Sequence, residues 1–446
     1  DLTVNDSKFF RSGASDSTSV ALRFFSETDI TLNNFKLDST FFSTPENTFV
    51  WAQRNLALTN AELDFVQNFS VGGFDRPFDV YVKGNTSIDI GKSSSFTVSN
   101  VGAVRPFSDT PPEFYAGNIG FYSDGQMNLT DSTIEVATKV GAAYGDIIHL
   151  VSTEVGSIKI DVGSLTIQSS QGADKADSYV SADAAFSTNA GGLVDIDVDR
   201  AVVIDGAGGQ KVGIFLDVGV NDNDSYDDEL PDDKYLSHAD YLLTDLVDHG
   251  SLELNAESVM ISSGGLISSQ AYSFGDAGSI NLTANALRIS DATIISDTQS
   301  SGAAGNINID LHGLSGNVKD YASSIVVLEN DATISTSSNE TKVNASDPNS
   351  GNAGSITINA GAIKIDGAEI QATTNSTSID NKPAVISLTA HSSDVLNVFD
   401  GNDPNSEMVS GIDATNLVIQ STTNSNSNAG NVTLNSLNNS VTLIDS

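Results

Sequence analysis

The sequence predicts an all-β chain, a right-handed parallel β-helix in which one strip of polypeptide winds into stacked coils. Three observations predict it. A short pattern recurs: apolar–x–apolar, then a turn of Asn, Asp or Gly, then another apolar residue. It reads Ile30-Thr31-Leu32 with Leu37, Leu56-Ala57-Leu58 with Leu63, Met127-Asn128-Leu129 with Ile134, Leu287-Arg288-Ile289 with Ile294, and Ile363-Lys364-Ile365 with Ile370. The period of two puts one face of each strand inward and the other toward solvent. The spacing is that of a coil. The second apolar position falls at Val4, Leu32, Leu58, Ile90 and Leu129. The first two steps are each close to one short coil of about 27 residues, and the next two are longer, marking loop insertions.

The third observation is a second element that precedes the first. It reads Asp276-Ala277-Gly278-Ser279-Ile280-Asn281-Leu282 and returns near Gly305, Gly354 and Gly430. The step from Gly278 to Gly305 matches the short coil length. The glycine is expected to adopt a backbone conformation that a side chain would forbid. The alanine is expected to leave room for the next coil, and the small polar residue to form a ladder between coils. The strands are rich in Ile, Leu, Val and Thr, and most prolines fall in expected loops. At ~4.8 Å per coil, about 15 coils would give a rod on the order of 70 Å long.

The blocks Gly275-Asp276-Ala277-Gly278-Ser279-Ile280 and Gly351-Asn352-Ala353-Gly354-Ser355-Ile356-Thr357-Ile358-Asn359-Ala360-Gly361 resemble repeats of the filamentous-haemagglutinin-like exoproteins, most clearly over 270–446. The resemblance implies a right-handed parallel β-helix, export by the two-partner route and, for many members, adhesion. The motifs are specific for fold and weak for function.

Along the chain, one continuous solenoid is expected over 1–446. Residues 1–120 hold most of the aromatics: Phe9, Phe10, Phe24, Phe25, Phe41, Phe42, Phe49, Trp51, Phe65, Phe69, Phe74 and Phe78. They read either as stacked rings in a wide core or as partner-binding surface, with Trp51 the first candidate for an exposed contact. Residues 217–250 break the repeat. The acidic run containing Asp222, Asp224, Asp227 and Asp228 offers oxygen ligands at spacings that suit Ca²⁺, although it lacks the order of an EF-hand. A solvated acidic loop is the competing reading. Ser237 to Gly250 reads as a short amphipathic helix with Leu242, Leu243, Leu246 and Val247 on one face and Gly250 as its stop. Leu2-Thr3-Val4 and Val441-Thr442-Leu443 both lie in mid-repeat. The chain is therefore expected to be a section of a longer polypeptide or to stack on copies of itself.

Composition narrows function. Lys and Arg total 20 against 58 Asp and Glu, a net charge of −38. Such a surface repels nucleic acid and anionic lipid and attracts divalent cations. There is no cysteine, so stability rests on stacking. No apolar run approaches the roughly 20 residues that span a bilayer, and no signal peptide is visible. Lys and Arg form no cluster of the kind a polyuronate lyase uses. Asp195, Asp197 and Asp199 share one face of a strand and would suit a glycosidase pair or a solvated edge equally. No Gly-x-Ser-x-Gly element or phosphate loop occurs. The expectation is a non-enzymatic extracellular rod: an adhesin binding a glycan or protein on a host or neighbouring cell, or a segment of a surface filament. It requires no cofactor, with calcium as the one candidate ion.

Overall fold

A computed structural model of the chain describes residues 1–12, 23–41, 47–69, 79–102, 114–115, 117–139, 143–144, 147–148, 153–154, 156–170, 176–185, 192–207, 211–217, 250–271, 276–298, 303–313, 319–338, 352–374, 384–397, 408–423 and 430–446. Among these the regular structure is entirely β, and the long pairings are all parallel, as a β-helix requires. Each coil contributes one strand to each of three parallel sheets. The first sheet stacks Leu2, Ile30, Leu56, Ile88, Met127, Leu165, Val202, Val259, Leu287, Val326, Ile363, Ile412 and Val441 one above another. These are thirteen rungs among the described residues, fewer than the spacing suggested, or about 60 Å of stacking. The shortest coil runs from Ile30 to Leu56, and the longest, from Val202 to Val259, takes more than double its length of chain.

Alternation builds the core. In Ile30–Asn33, Ile30 and Leu32 point inward and are buried, while Thr31 and Asn33 face out. The second sheet stacks Leu37, Leu63, Phe96, Ile134 and Val180, continuing to Ile370. The third stacks Val50, Val82, Phe121, Ile160 and Ile196, continuing to Leu388. One apolar core runs through the coils. A small satellite core lies outside it, where Ile325, Val327 and Ala362 pack under Leu396 and Val409.

The three corners differ. Between the first and second sheets most coils turn on a few residues, with longer connections from Gln168 to Ser178 and from Asp205 to Val212, and nearly every coil places a left-handed residue there, among them Asp6, Asn34, Asn60, Asp131, Asp291 and Asn416, or glycine at Gly367. Asn and Asp tolerate this conformation, which explains the Asn/Asp/Gly turn in the repeat. Asn34 Nδ2 donates to Asp6 Oδ1 (2.8 Å) and Asn60 Nδ2 to Asn34 Oδ1 (2.7 Å), so the turns also form a ladder. Between the third and first sheets several coils run through without a break, as in Asn118–Thr130 and Leu193–Asp205, with a bulge where the strand bends. The corner between the second and third sheets takes most of the extra length, including residues 218–249.

The Ala-Gly element forms that third corner, for a different reason than expected. Gly278, Gly305, Gly354 and Gly430 do not have positive φ. A Cβ on Gly305 would lie 2.1 Å from the carbonyl oxygen of Gly278, and one on Gly354 would lie 1.9 Å from that of Gly305. Close approach of successive backbones, not a left-handed turn, is what demands glycine. A buried hydroxyl holds each turn in place: Ser269 Oγ accepts from Gly278 N (2.7 Å), and Ser296 Oγ accepts from Gly305 N (3.0 Å) and donates to Gly278 O (2.9 Å). Ala277, Ala304 and Ala353 are buried beside them. The small polar residue does bridge coils, for Asn306 Oδ1 accepts from Ser355 N (2.8 Å). Gly250, expected to stop a helix, belongs to this corner, its carbonyl accepting from Ser279 N. The expected helix at 237–249 and the calcium candidates Asp222, Asp224, Asp227 and Asp228 lie outside the described residues. No helix among the described residues is long and apolar enough to cross a membrane.

Candidate binding face

Most described aromatics of the first coils divide into two sets, with Phe9, 52% exposed in the inward column of Leu37, and the partly buried Phe24 outside both. Phe35, Phe65, Phe96 and Phe121 are fully buried, and Phe65–Phe96 and Phe96–Phe121 pack with ring centroids 5.8 and 5.6 Å apart. The other set faces out from the third sheet. In Thr48–Ala52 it is Thr48, Val50 and Ala52 that point inward, while Phe49 and Trp51 point to solvent. In Arg23–Ser26 the exposed residues are Arg23 and Phe25. Phe25 is 52% exposed and Trp51 38%. Large apolar side chains on the outer face of a strand bring the core no benefit, so this placement calls for another account.

Register assembles them into two columns along the rod. The first contains Arg23, Phe49, Tyr81, Gly120, Lys159 and Asp195. The second contains Phe25, Trp51, Lys83, Tyr122, Asp161 and Asp197. Phe49 and Tyr81 stack at 5.2 Å with planes 15° apart. Tyr122 leaves its own column: its ring lies over Gly120, where a Cβ would come within 2.7 Å of it, and stacks on Tyr81 at 6.4 Å and 27°. The Arg23 guanidinium caps Phe49 at 5.8 Å. In the second column Phe25 meets Trp51 edge-on at 5.4 Å, and Lys83 Nζ lies 5.9 Å from the Trp51 ring centre.

The electrostatics follow from burial and neighbours. Desolvation, with Asp79 close by, pushes the Tyr81 hydroxyl up, and desolvation does the same for Tyr122. Both hydroxyls therefore keep their protons at neutral pH, and that of Tyr81 donates to Asp79 Oδ2 (3.4 Å). Lys159 is held charged by its hydrogen bond to Asp195 (2.6 Å). Asp195, Asp197 and Asp199 do all face outward, but Asp195 is tied to Lys159. Sequence reasoning named Trp51 and left its partners undivided. The available signal was a run such as Thr48-Phe49-Val50-Trp51-Ala52, apolar at both inward and outward positions.

Two other clusters hold titratable groups. Asp310 accepts hydrogen bonds from Tyr321 Oη (2.8 Å) and Lys319 Nζ, with His312 beside it. The Tyr321 hydroxyl is pushed up to about 12, mainly by desolvation, and its ring stacks on His391 at 4.1 Å. On the second sheet, Asp183 and Asp217 sit on neighbouring coils just before loop insertions. Asp183 Oδ1 accepts from Asp217 N (3.2 Å), and Asp217 Oδ1 from Gln270 N (3.1 Å). Desolvation raises them to about 6 and about 7. Among the described residues no three His, Cys, Asp or Glu side chains gather as metal ligands. The chain matches no known protein family, no curated protein and no solved structure.

Proposed function

We propose that this chain is a non-catalytic extracellular β-helical rod, an adhesin or cell-surface scaffold of the filamentous-haemagglutinin-like kind, that binds its partner through the outer face around Trp51. The observation that carries the reading is the solvent-facing array of Phe25, Phe49 and Trp51 on otherwise regular strands. Exposed aromatic clusters on a rigid scaffold mark recognition surfaces, because rings bring large contact area with few rotatable bonds. A solenoid supports such a face well, since each coil is fixed by both neighbours and the array keeps its geometry without a ligand. The charge of −38 fits a secreted rod that stays dispersed and avoids nucleic acid.

The test is a glycan and cell-surface binding screen with the full chain, the Phe25→Ala/Trp51→Ala double variant, and Met260→Ala as control. Met260 is exposed on the first sheet, away from the aromatic columns. Binding that the double variant loses and the control keeps supports the proposal. Binding unaffected by the double variant, or turnover of a polysaccharide during the screen, overturns it.

A further inference from the structure

We infer that the ligand of this face is a linear, carboxylate-bearing polysaccharide laid along the rod axis. The inference rests on the binding-face reading above and adds the chemistry of the ligand.

Size argues first. The aromatic strip covers four coils, from Arg23–Ser26 through Thr48–Ala52 and Asp79–Gly84 to Asn118–Thr130. At ~4.8 Å per coil it is roughly 15 Å long, and its two columns stand about 7 Å apart. A strip of a few hundred Å² falls well below the ~800 Å² per partner of an ordinary protein–protein interface. It suits a narrow, extended chain.

Charge argues second. Residues 1–130 carry 9 Lys and Arg against 15 Asp and Glu, whereas residues 131–446 carry 11 against 43. The coils that hold the strip are mildly acidic and the remaining coils strongly so. Arg23 and Lys83 stand over the aromatic rings and form no ion pair among the described residues. They lie two coils apart, about 10 Å along the axis, one in each column. An acidic chain is repelled by the strongly acidic coils and attracted to these two cations.

Ring orientation argues third. Tyr81 stacks between Phe49 and Tyr122, and Phe49 also carries the Arg23 guanidinium, so the column offers mainly ring edges to a ligand. An aromatic edge is the positive part of the ring quadrupole and favours oxygen-rich, anionic groups. The Tyr81 hydroxyl donates to Asp79 Oδ2 (3.4 Å), and the protonated Tyr122 hydroxyl adds a hydrogen-bond donor to the strip. The edge-on Phe25–Trp51 pair is the place where a sugar ring can stack. Asp79 and Asp161 border the strip, which suits a chain of about one carboxylate per sugar better than a densely charged polyanion.

The experiment is titration calorimetry of the full chain with oligogalacturonate and with the same oligomer methyl-esterified, which keeps the backbone and removes the charge. The expected result is binding of the acid form, at least tenfold weaker binding of the ester, and a tenfold loss in each of Arg23→Gln and Lys83→Gln. Affinity is also expected to fall as salt rises. Equal binding of acid and ester, or no loss in both cation variants, overturns the acidic class; dependence on Trp51 would then leave the binding-face reading standing. Absence of binding by either oligomer overturns the present inference, and the broader screen above decides the face itself.

Discussion

The outer face of the third sheet is built in two ways along one rod. In the early coils its first column carries Arg23, Phe49, Tyr81 and the ring of Tyr122. In the later coils the same column carries Glu253, Asn281 and Asn308, where Asn281 Nδ2 donates to Glu253 Oε1 (2.7 Å) and Asn308 Nδ2 to Asn281 Oδ1 (2.8 Å). The interior changes with it: Phe35, Phe65, Phe96 and Phe121 join Ile, Leu and Val in the early core, while Ile, Leu and Val with Ala-Gly corners fill the later one. In this column the later coils tie their outward groups to one another by hydrogen bonds, and their exposed apolar side chains, such as Met260 and Val418, are aliphatic. The early coils spend their outward positions on rings that the fold does not need. That contrast separates outward positions paired between coils from the outward rings on which the binding proposal rests.

The largest test of the contrast is a change at the Ala-Gly corner. Gly354→Val places a Cβ against the Gly305 carbonyl, with no flexible side chain to yield. It should cost about 4 kcal/mol or more and loosen the coils around it. Denaturant melts and amide exchange would show this as lost protection in residues 303–374, and unchanged protection there would refute the account of the corner. Phe96→Ala, between Phe65 and Phe121, should cost about 3–5 kcal/mol, with the loss confined to the early coils.

A smaller effect is expected from the half-buried carboxyls. Asp183, Asp217 and Asp297 are raised from 3.8 to about 6, about 7 and about 6 by desolvation. Between about pH 4 and pH 7 the folded chain therefore keeps protons that the unfolded chain releases, and stability from these groups falls as pH rises. Asp217→Asn keeps the acceptor for Gln270 N and removes the charge. It should raise stability at pH 8 by on the order of 1 kcal/mol and do little at pH 4.5. Melts with the same pH slope in both proteins would argue against the assignment. The smallest effect should come from Phe25→Ala, within about 0.5 kcal/mol in stability because the ring is half exposed. A cost comparable to that of Phe96→Ala would mean the outer rings serve the fold after all.

Much of the architecture was legible because it is periodic. Ile30-Thr31-Leu32 with Leu37 names two inward positions of one sheet and the first of the next, and the intervening Asn34 is the left-handed turn. The Ala-Gly element is legible as a repeat, but its cause is not, since backbone approach between successive coils leaves no local mark on conformation. The binding face was half legible. Trp51 was singled out, yet Phe24 and Phe25 read alike until register shows one turned inward and the other outward. Tyr122 over Gly120 was not legible, because a ring leaving its own column depends on the glycine of the neighbouring one.

The uneven coil lengths bear on mechanics. The hydrogen bonds between coils run along the rod axis, so tension along that axis peels coils one at a time and does not shear whole strands together. Each coil that peels frees the length it stored. The coil between Ile30 and Leu56 would release about 90 Å, and the one between Val202 and Val259 about 190 Å. Under flow, a tether built this way would lengthen in unequal steps, its largest slack held beside the acidic insertion.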